Sequence, residues 1–178
     1  MYELLMQNGS TVYLPPVKEE VKVTTERQIS PGAMEFSFVD TGISIAEGNP
    51  VRFKDGETGV FYGFVFKIKR DRSNIVTITA YDQLRYLKNK DTMVYDDKTA
   101  GEVVTEIGNK YGYNLGTIAD TIWKIASRVE DNVSLMDMIG NALDLTLQNT
   151  GDLYILYDNF GKMNLSFLGD MYVPIVID

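Results

Sequence analysis

The run from Val60 to Tyr95 restricts the fold more than any other part of this chain. β-Branched and aromatic residues fill Val60–Ile68 and Ile75–Tyr81, and Asp71-Arg72-Ser73-Asn74 between them has turn composition, so the run opens as a β-hairpin. The alternation then stops. Tyr81-Asp82-Gln83-Leu84-Arg85-Tyr86-Leu87 lacks strand periodicity and reads as a short helical or irregular exit from a sheet. A domain junction belongs there, with one domain over residues 1–82 and another over 83–178.

The segment upstream carries further strand signals. Tyr2–Gln7 and Thr11–Leu14 flank Asn8-Gly9-Ser10, which contains the strongest hairpin dipeptide, and Pro15-Pro16 ends the pairing. Val21, Val23 and Thr25 alternate with polar residues, as do Met34, Phe36 and Phe38, the period of a sheet with one buried face. Val51-Arg52-Phe53 follows Gly48-Asn49-Pro50 and leads to a tight turn at Asp55-Gly56. Short strands at this spacing predict a barrel or a sandwich.

Beyond the junction the pattern is mixed. Thr99-Ala100-Gly101-Glu102 has the form of a capping box, and Val103, Val104 and Ile107 continue an apolar helical stripe that ends near Tyr111-Gly112. A second helix is expected after Asp131-Asn132, with Ser134 and Asp137 as a cap-like pair and a stripe of Leu135, Met138, Ile139, Ala142, Leu143 and Leu147 running to a stop at Asn149-Thr150-Gly151. Leu153–Tyr157 and Met163–Phe167 around Asp158-Asn159-Phe160-Gly161 predict a hairpin. Met171–Asp178 is apolar and has strand character.

Composition removes several chemistries. The 178 residues include no Cys and no His, which excludes disulfides, thiolate or imidazole metal ligands and every Ser-His or Cys-His catalytic arrangement. Hydrophobic residues make up 44%, enough for a packed core, and no apolar run is long enough to cross a bilayer as a helix. The N-terminus lacks the basic and apolar regions of a signal peptide. The net charge of −8 is uneven: 12 basic and 11 acidic residues up to Lys90, then 5 basic and 14 acidic. An acidic second half repels nucleic acid. The one dense basic group, Lys67, Lys69, Arg70 and Arg72, sits at a hairpin tip, where a solvated turn that discourages edge pairing explains it.

Other side chains admit a functional and a structural reading. Phe61 lies on one face of its strand and Tyr62, Phe64 and Phe66 on the other, which fits core or subunit-interface packing better than a stacking platform for bases or sugars. Glu102 and Glu106 share a helical face but have nothing to complete a metal or acid/base site. Met136 and Met138 fit core filling better than an adaptable partner surface. Asp152, Asp158 and Asn159 lack the spacing of a calcium loop and are explained as turn chemistry. No catalytic, metal or cofactor site emerges.

Ala80-Tyr81-Asp82-Gln83-Leu84-Arg85-Tyr86-Leu87-Lys88-Asn89-Lys90-Asp91 resembles the corresponding run of the XkdQ/YqbQ family, tail proteins of Bacillus-type prophages and phage-tail-like bacteriocins. Glu3–Gly9, Glu47–Phe53, Val60–Gly63 and Ala142–Thr150 resemble it in the same order, so the likeness spans essentially the whole chain. It implies an N-terminal antiparallel β-barrel, tail-tube or hub-like, followed by a small α+β domain with two helices and a β-hairpin, in a chain that stops short of a second barrel after Asp178. It also implies a non-enzymatic baseplate hub subunit, a trimer at full length, joining the sixfold tail tube to the threefold central spike. The implied partners are other hub subunits and the tail tube, central spike, tape-measure and baseplate wedge proteins. The particle would be a virion or a tail-like bacteriocin assembled in the bacterial cytoplasm. Phe61, Tyr62, Phe64, Phe66, Arg70 and Arg72 are the interface candidates. The competing class is a peptidoglycan-binding or wall-degrading tail-tip module, for which Thr99–Ile118 would be the binding unit, although no acidic pair carries a glycosidase signature.

Overall fold

A computed structural model describes residues 1–18, 20–26 and 29–171. The chain divides into two compact units, residues 1–26, 30–85 and 158–161 in the first, and 27–29, 86–157 and 162–178 in the second. The boundary near the expected junction falls between Arg85 and Tyr86, and the turn 158–161 groups with the first unit.

The first unit is built on antiparallel strands: β1 (Tyr2–Asn8), β2 (Thr11–Tyr13), β3 (Lys22–Thr24), β4 (Ala33–Val39), β5 (Pro50–Asp55), β6 (Thr58–Arg70) and β7 (Ile75–Tyr81). They form one sheet in the order β2-β1-β5-β6-β7-β4-β3. Turn chemistry fixes the register. Gly9 and Gly56 take positive φ of 58° and 57° in two-residue loops, pairing Asn8 with Thr11 and Asp55 with Thr58. At the β6–β7 turn the Asp71 carboxylate accepts the Ser73 and Ile75 N–H groups at 2.8 and 2.9 Å, and these bonds hold it below the ordinary carboxylate range.

Alternation sends Met34, Phe36 and Phe38 of β4, Val76, Ile78 and Ala80 of β7, and Phe61 and Val65 of β6 into one core with Leu4, Met6 and Val51. Gly63 belongs to the same face, and a methyl group there would overlap the Tyr81 carbonyl oxygen, so only glycine lets β6 and β7 approach. A bulge at Phe66, between the pairs Val65–Ala80 and Lys67–Thr79, keeps the inward set in phase along the long β6. Among the described residues the ladders leave the sheet open, because β2 pairs only with β1 and β3 only with β4. Both edges belong to a single stretch, residues 11–24. Midway along it Val17 bridges Phe38, the Lys18 N–H donates to Ser37 O at 2.9 Å, and Val39 N–H donates to Pro16 O at 3.3 Å.

The second unit contains β8 (Lys90–Tyr95), β9 (Lys98–Thr99), α1 (Ala100–Tyr111), β10 (Leu115–Ile118), β11 (Lys124–Ile125), β12 (Arg128–Ser134), α2 (Leu135–Thr150), β13 (Tyr154–Asp158) and β14 (Met163–Phe167). Turns of 3-10 helix at Gln83–Lys88 and Leu168–Met171 precede and follow this series. The capping box at Thr99 is present in full: the hydroxyl accepts Glu102 N–H at 3.2 Å, and the Glu102 carboxylate accepts Thr99 N–H at 2.8 Å. Ser134 caps α2 through Asp137 N–H at 3.1 Å, and left-handed Gly112 and Gly151 end the two helices. Val103, Val104 and Ile107 of α1 and Leu135, Met138, Ile139 and Ala142 of α2 are buried where the helices pack.

Three features depart from the sequence reading. Leu147 does not continue the buried stripe: it is 36% exposed, and Thr146 is buried instead, returning its hydroxyl to Ala142 O at 2.9 Å. At four residues from Ala142 and three from Leu143, Thr146 lies nearer the centre of the helical face. Secondly, β8-β9 and β12-β11 pair in one continuing antiparallel register, from Met93–Glu130 through Tyr95–Arg128 to Thr99–Lys124, a ribbon the sequence pattern did not reveal. Thirdly, β10 adds a parallel strand to β14, making a three-stranded sheet of the expected hairpin. Apart from Met171, which ends a 3-10 turn, the apolar terminal segment lies outside the described residues.

Candidate interaction surface

Strand β6 separates the aromatic candidates by parity. Phe61 is 4% exposed and belongs to the core, so it offers a partner no surface. Tyr62, Phe64 and Phe66 are half-buried on the opposite face. Tyr62 meets Phe64 and Phe160 edge-on, each at 5.9 Å between ring centres. Phe66 meets Tyr81 edge-on at 5.3 Å, and the Arg85 guanidinium lies over both rings at 5.5 and 5.6 Å. Such contacts contribute about 0.5–1 kcal/mol each. Part of this face is therefore filled from within the chain.

Arg70 and Arg72 stand exposed at the hairpin tip, Arg70 with its Nε 3.7 Å from Asp40. Lys67 and Lys69 share the outward face with Thr79 and Thr77. The lysines leave a solvated basic row beside the aromatic one.

Below the exit of β7 lies a polar cluster whose roles sequence reasoning missed. Asp82 is 5% exposed; its Oδ2 accepts Gly32 N–H at 2.7 Å and its Oδ1 accepts Leu84 N–H at 3.0 Å, starting the 3-10 turn. Burial pushes this carboxyl up to about 7 against those two bonds, with the Asp158 charge adding to the rise. Asp158 is itself raised by burial, while Gly161 N–H at 2.7 Å and the Gln83 amide at 2.9 Å oppose the shift. Every oxygen named here is engaged by a structural donor. The signal in the sequence is the acid placed directly after the last residue of a strand, a position suited to a turn cap.

In the second unit Glu130 is 4% exposed and held by the Arg128 Nε–H and by the Asn141 amide at 3.1 and 3.3 Å. Glu106, half of the pair weighed for acid/base work, accepts from Lys98, and Glu102 is occupied by its cap. Among the described residues no group of three or more acidic side chains is placed to hold a metal ion.

This arrangement has the fold of prophage tail proteins. The 43 kDa tail protein of prophage MuSo2 from Shewanella oneidensis superposes with a TM-score of 0.73 at 14% identity, over 93% of this chain and 54% of that one. A PdpA–VgrG complex superposes with a TM-score of 0.56 at 13% identity, over 93% of this chain and 34% of that one. The YqbQ-like family model matches residues 21–178, and the chain belongs to that family. YqbQ of Bacillus subtilis (strain 168) is 33% identical over 168 residues, 90% of this chain and 51% of the relative. The phage-like element PBSX protein XkdQ of the same organism is 33% identical over 162 residues, 87% and 50%. The chain thus spans about half the length of the curated relatives it matches.

Proposed function

We propose that this chain is a structural, non-catalytic part of a contractile phage tail or tail-like particle, a portion of the baseplate hub that joins the sixfold tube to the threefold central spike. The observation that carries this reading is the fold it shares over 93% of its length with a prophage tail protein, together with its family membership. The superposition on a VgrG-containing complex supports a place beside a spike. In this reading residues 1–82 are a β-barrel that the split stretch 11–24 closes at its two ends, leaving the seam beside Tyr2 and Leu4 unpaired among the described residues. That stretch pairs with β1 at one end and β4 at the other, which supports closure. Residues 83–178 are a small α+β domain with two helices and a β-hairpin. A trimer at full length, contacts with tube, spike, tape-measure and wedge proteins, and assembly in the bacterial cytoplasm complete the proposal.

The exposed tip at Arg70 and Arg72 and the rim of Tyr62, Phe64 and Phe66 are the surfaces offered to those neighbours, with Phe61 supporting them from the core. A wall-degrading role finds no support in the two raised carboxyls, because Asp82 is buried and both are engaged by backbone or amide donors. The test is gold-labelled antibody against this chain on particles released from induced cells. Label confined to the distal tail end is expected. Absence of label from intact tails, contracted tails and isolated baseplates alike refutes the structural reading.

A further inference from the structure

Among the described residues the sheet of the first unit has an unfilled seam. Backbone groups alternate in direction along a strand, and two observations fix the phase on β1. Met1 O accepts Gly56 N–H at 3.0 Å, so odd-numbered residues face β5. The two-residue loop pairing Asn8 with Thr11 turns even-numbered residues towards β2. Strand β2, however, reaches back only as far as the Met6–Tyr13 pair. The N–H and C=O groups of Tyr2 and Leu4 consequently point along the sheet with no strand beyond them among the described residues.

Beside this edge runs a groove of about 680 Å³, lined by Leu4 and Phe53 on one wall and by Leu14, Val17 and Val21 on the other. Its lining is mainly apolar, its mouth carries Tyr2 and Leu14, 72% and 70% exposed, and among the described residues its one charged lining side chain is Glu20. A bare ladder edge next to apolar surface is the combination that captures extended peptides, the main chain supplying affinity and alternate side chains filling the groove. A compact apolar ligand would occupy the groove but leave the edge unpaired.

We propose that the Tyr2–Leu5 edge of β1 and the adjoining groove accept an extended strand from another polypeptide, apolar on alternate residues and cationic where it passes Glu20. This inference rests on the seam alone and stands or falls independently of the position of the chain in a tail.

Residue-resolved amide hydrogen exchange tests it, with the synthetic peptide acetyl-Val-Lys-Val-Thr-Val-Lys-amide as the probe. In the free chain the Leu4 amide is expected to exchange at least about 100-fold faster than that of Leu5, which faces β5. Millimolar peptide should slow Leu4 exchange about tenfold or more, and Glu20→Lys should weaken that protection severalfold. Equal protection of Leu4 and Leu5 in the free chain overturns the proposal, as does a peptide that leaves Leu4 unchanged. The same peptide N-methylated at every residue cannot form a ladder; equal protection by it reduces the site to an apolar cavity and also overturns the proposal. Full binding to the Glu20→Lys chain overturns the cationic requirement.

Discussion

Asp82→Asn decides which of two opposed effects governs the carboxyl group beneath the exit of β7. Burial favours the neutral acid, and the N–H groups of Gly32 and Leu84 favour the carboxylate. Burial is the larger cause, placing the group at about 7 instead of 3.8. At about 1.4 kcal/mol per tenfold change, the fold prefers the neutral form by roughly 4 kcal/mol, an upper bound on the effect. The folded value lies above the unfolded one, so the stabilisation is fully present below about pH 4 and is lost as pH rises through about 7. Asp158, also raised, acts in the same direction. The substituted asparagine cannot ionise, but it turns an NH2 group towards one of two backbone donors, costing about 1–2 kcal/mol at every pH. Urea unfolding followed by circular dichroism should therefore place the variant slightly below wild type at pH 4.5 and about 2 kcal/mol above it at pH 8. Two parallel curves, or a wild-type advantage that grows with pH, would show that the backbone donors outweigh burial and refute the reasoning.

Gly63→Ala forces a methyl into the Tyr81 carbonyl and should cost at least about 2 kcal/mol in the same assay, whereas Gly140→Ala, whose methyl meets only the end of Ile29 at 3.6 Å, should stabilise by about 0.5–1 kcal/mol through helix propensity. Thr99→Ala removes the hydroxyl of the capping box and should cost about 1–2 kcal/mol, with loss of protection of the first-turn amides of α1 by hydrogen exchange. Arg128→Met leaves the Glu130 carboxylate in its buried place with only the Asn141 amide; a loss of about 2–4 kcal/mol is expected, most of it recovered when Glu130→Met is added, and a double variant no better than the single one would contradict the pairing.

What could be read in the sequence was whatever is fixed by short-range chemistry. The loops at Gly9 and Gly56, the Asp71 turn, the Thr99 box and the Ser134 cap are each decided within a few residues, and each stands where the local pattern put it. Inward alternation was equally legible on β4 and β6, since a half-buried strand writes its burial every second residue. The ribbon of β8-β9 with β12-β11 escaped because its strands lie about thirty residues apart and mix charged with apolar side chains on both faces, leaving no period to detect. Asp82 and Asp158 escaped for the same reason: seventy-six positions separate Asp82 from the acid whose charge adds to its rise. The seam on β1 is a third long-range product. Nothing in Tyr2-Glu3-Leu4-Leu5 distinguishes a strand paired on both edges from one paired on a single edge, because backbone groups are the same at every residue. Only the length of β2, cut short ahead of Pro15-Pro16, makes the difference. Side chains therefore announce which face of this sheet is buried, while the ends of neighbouring strands decide where it can still take on a partner.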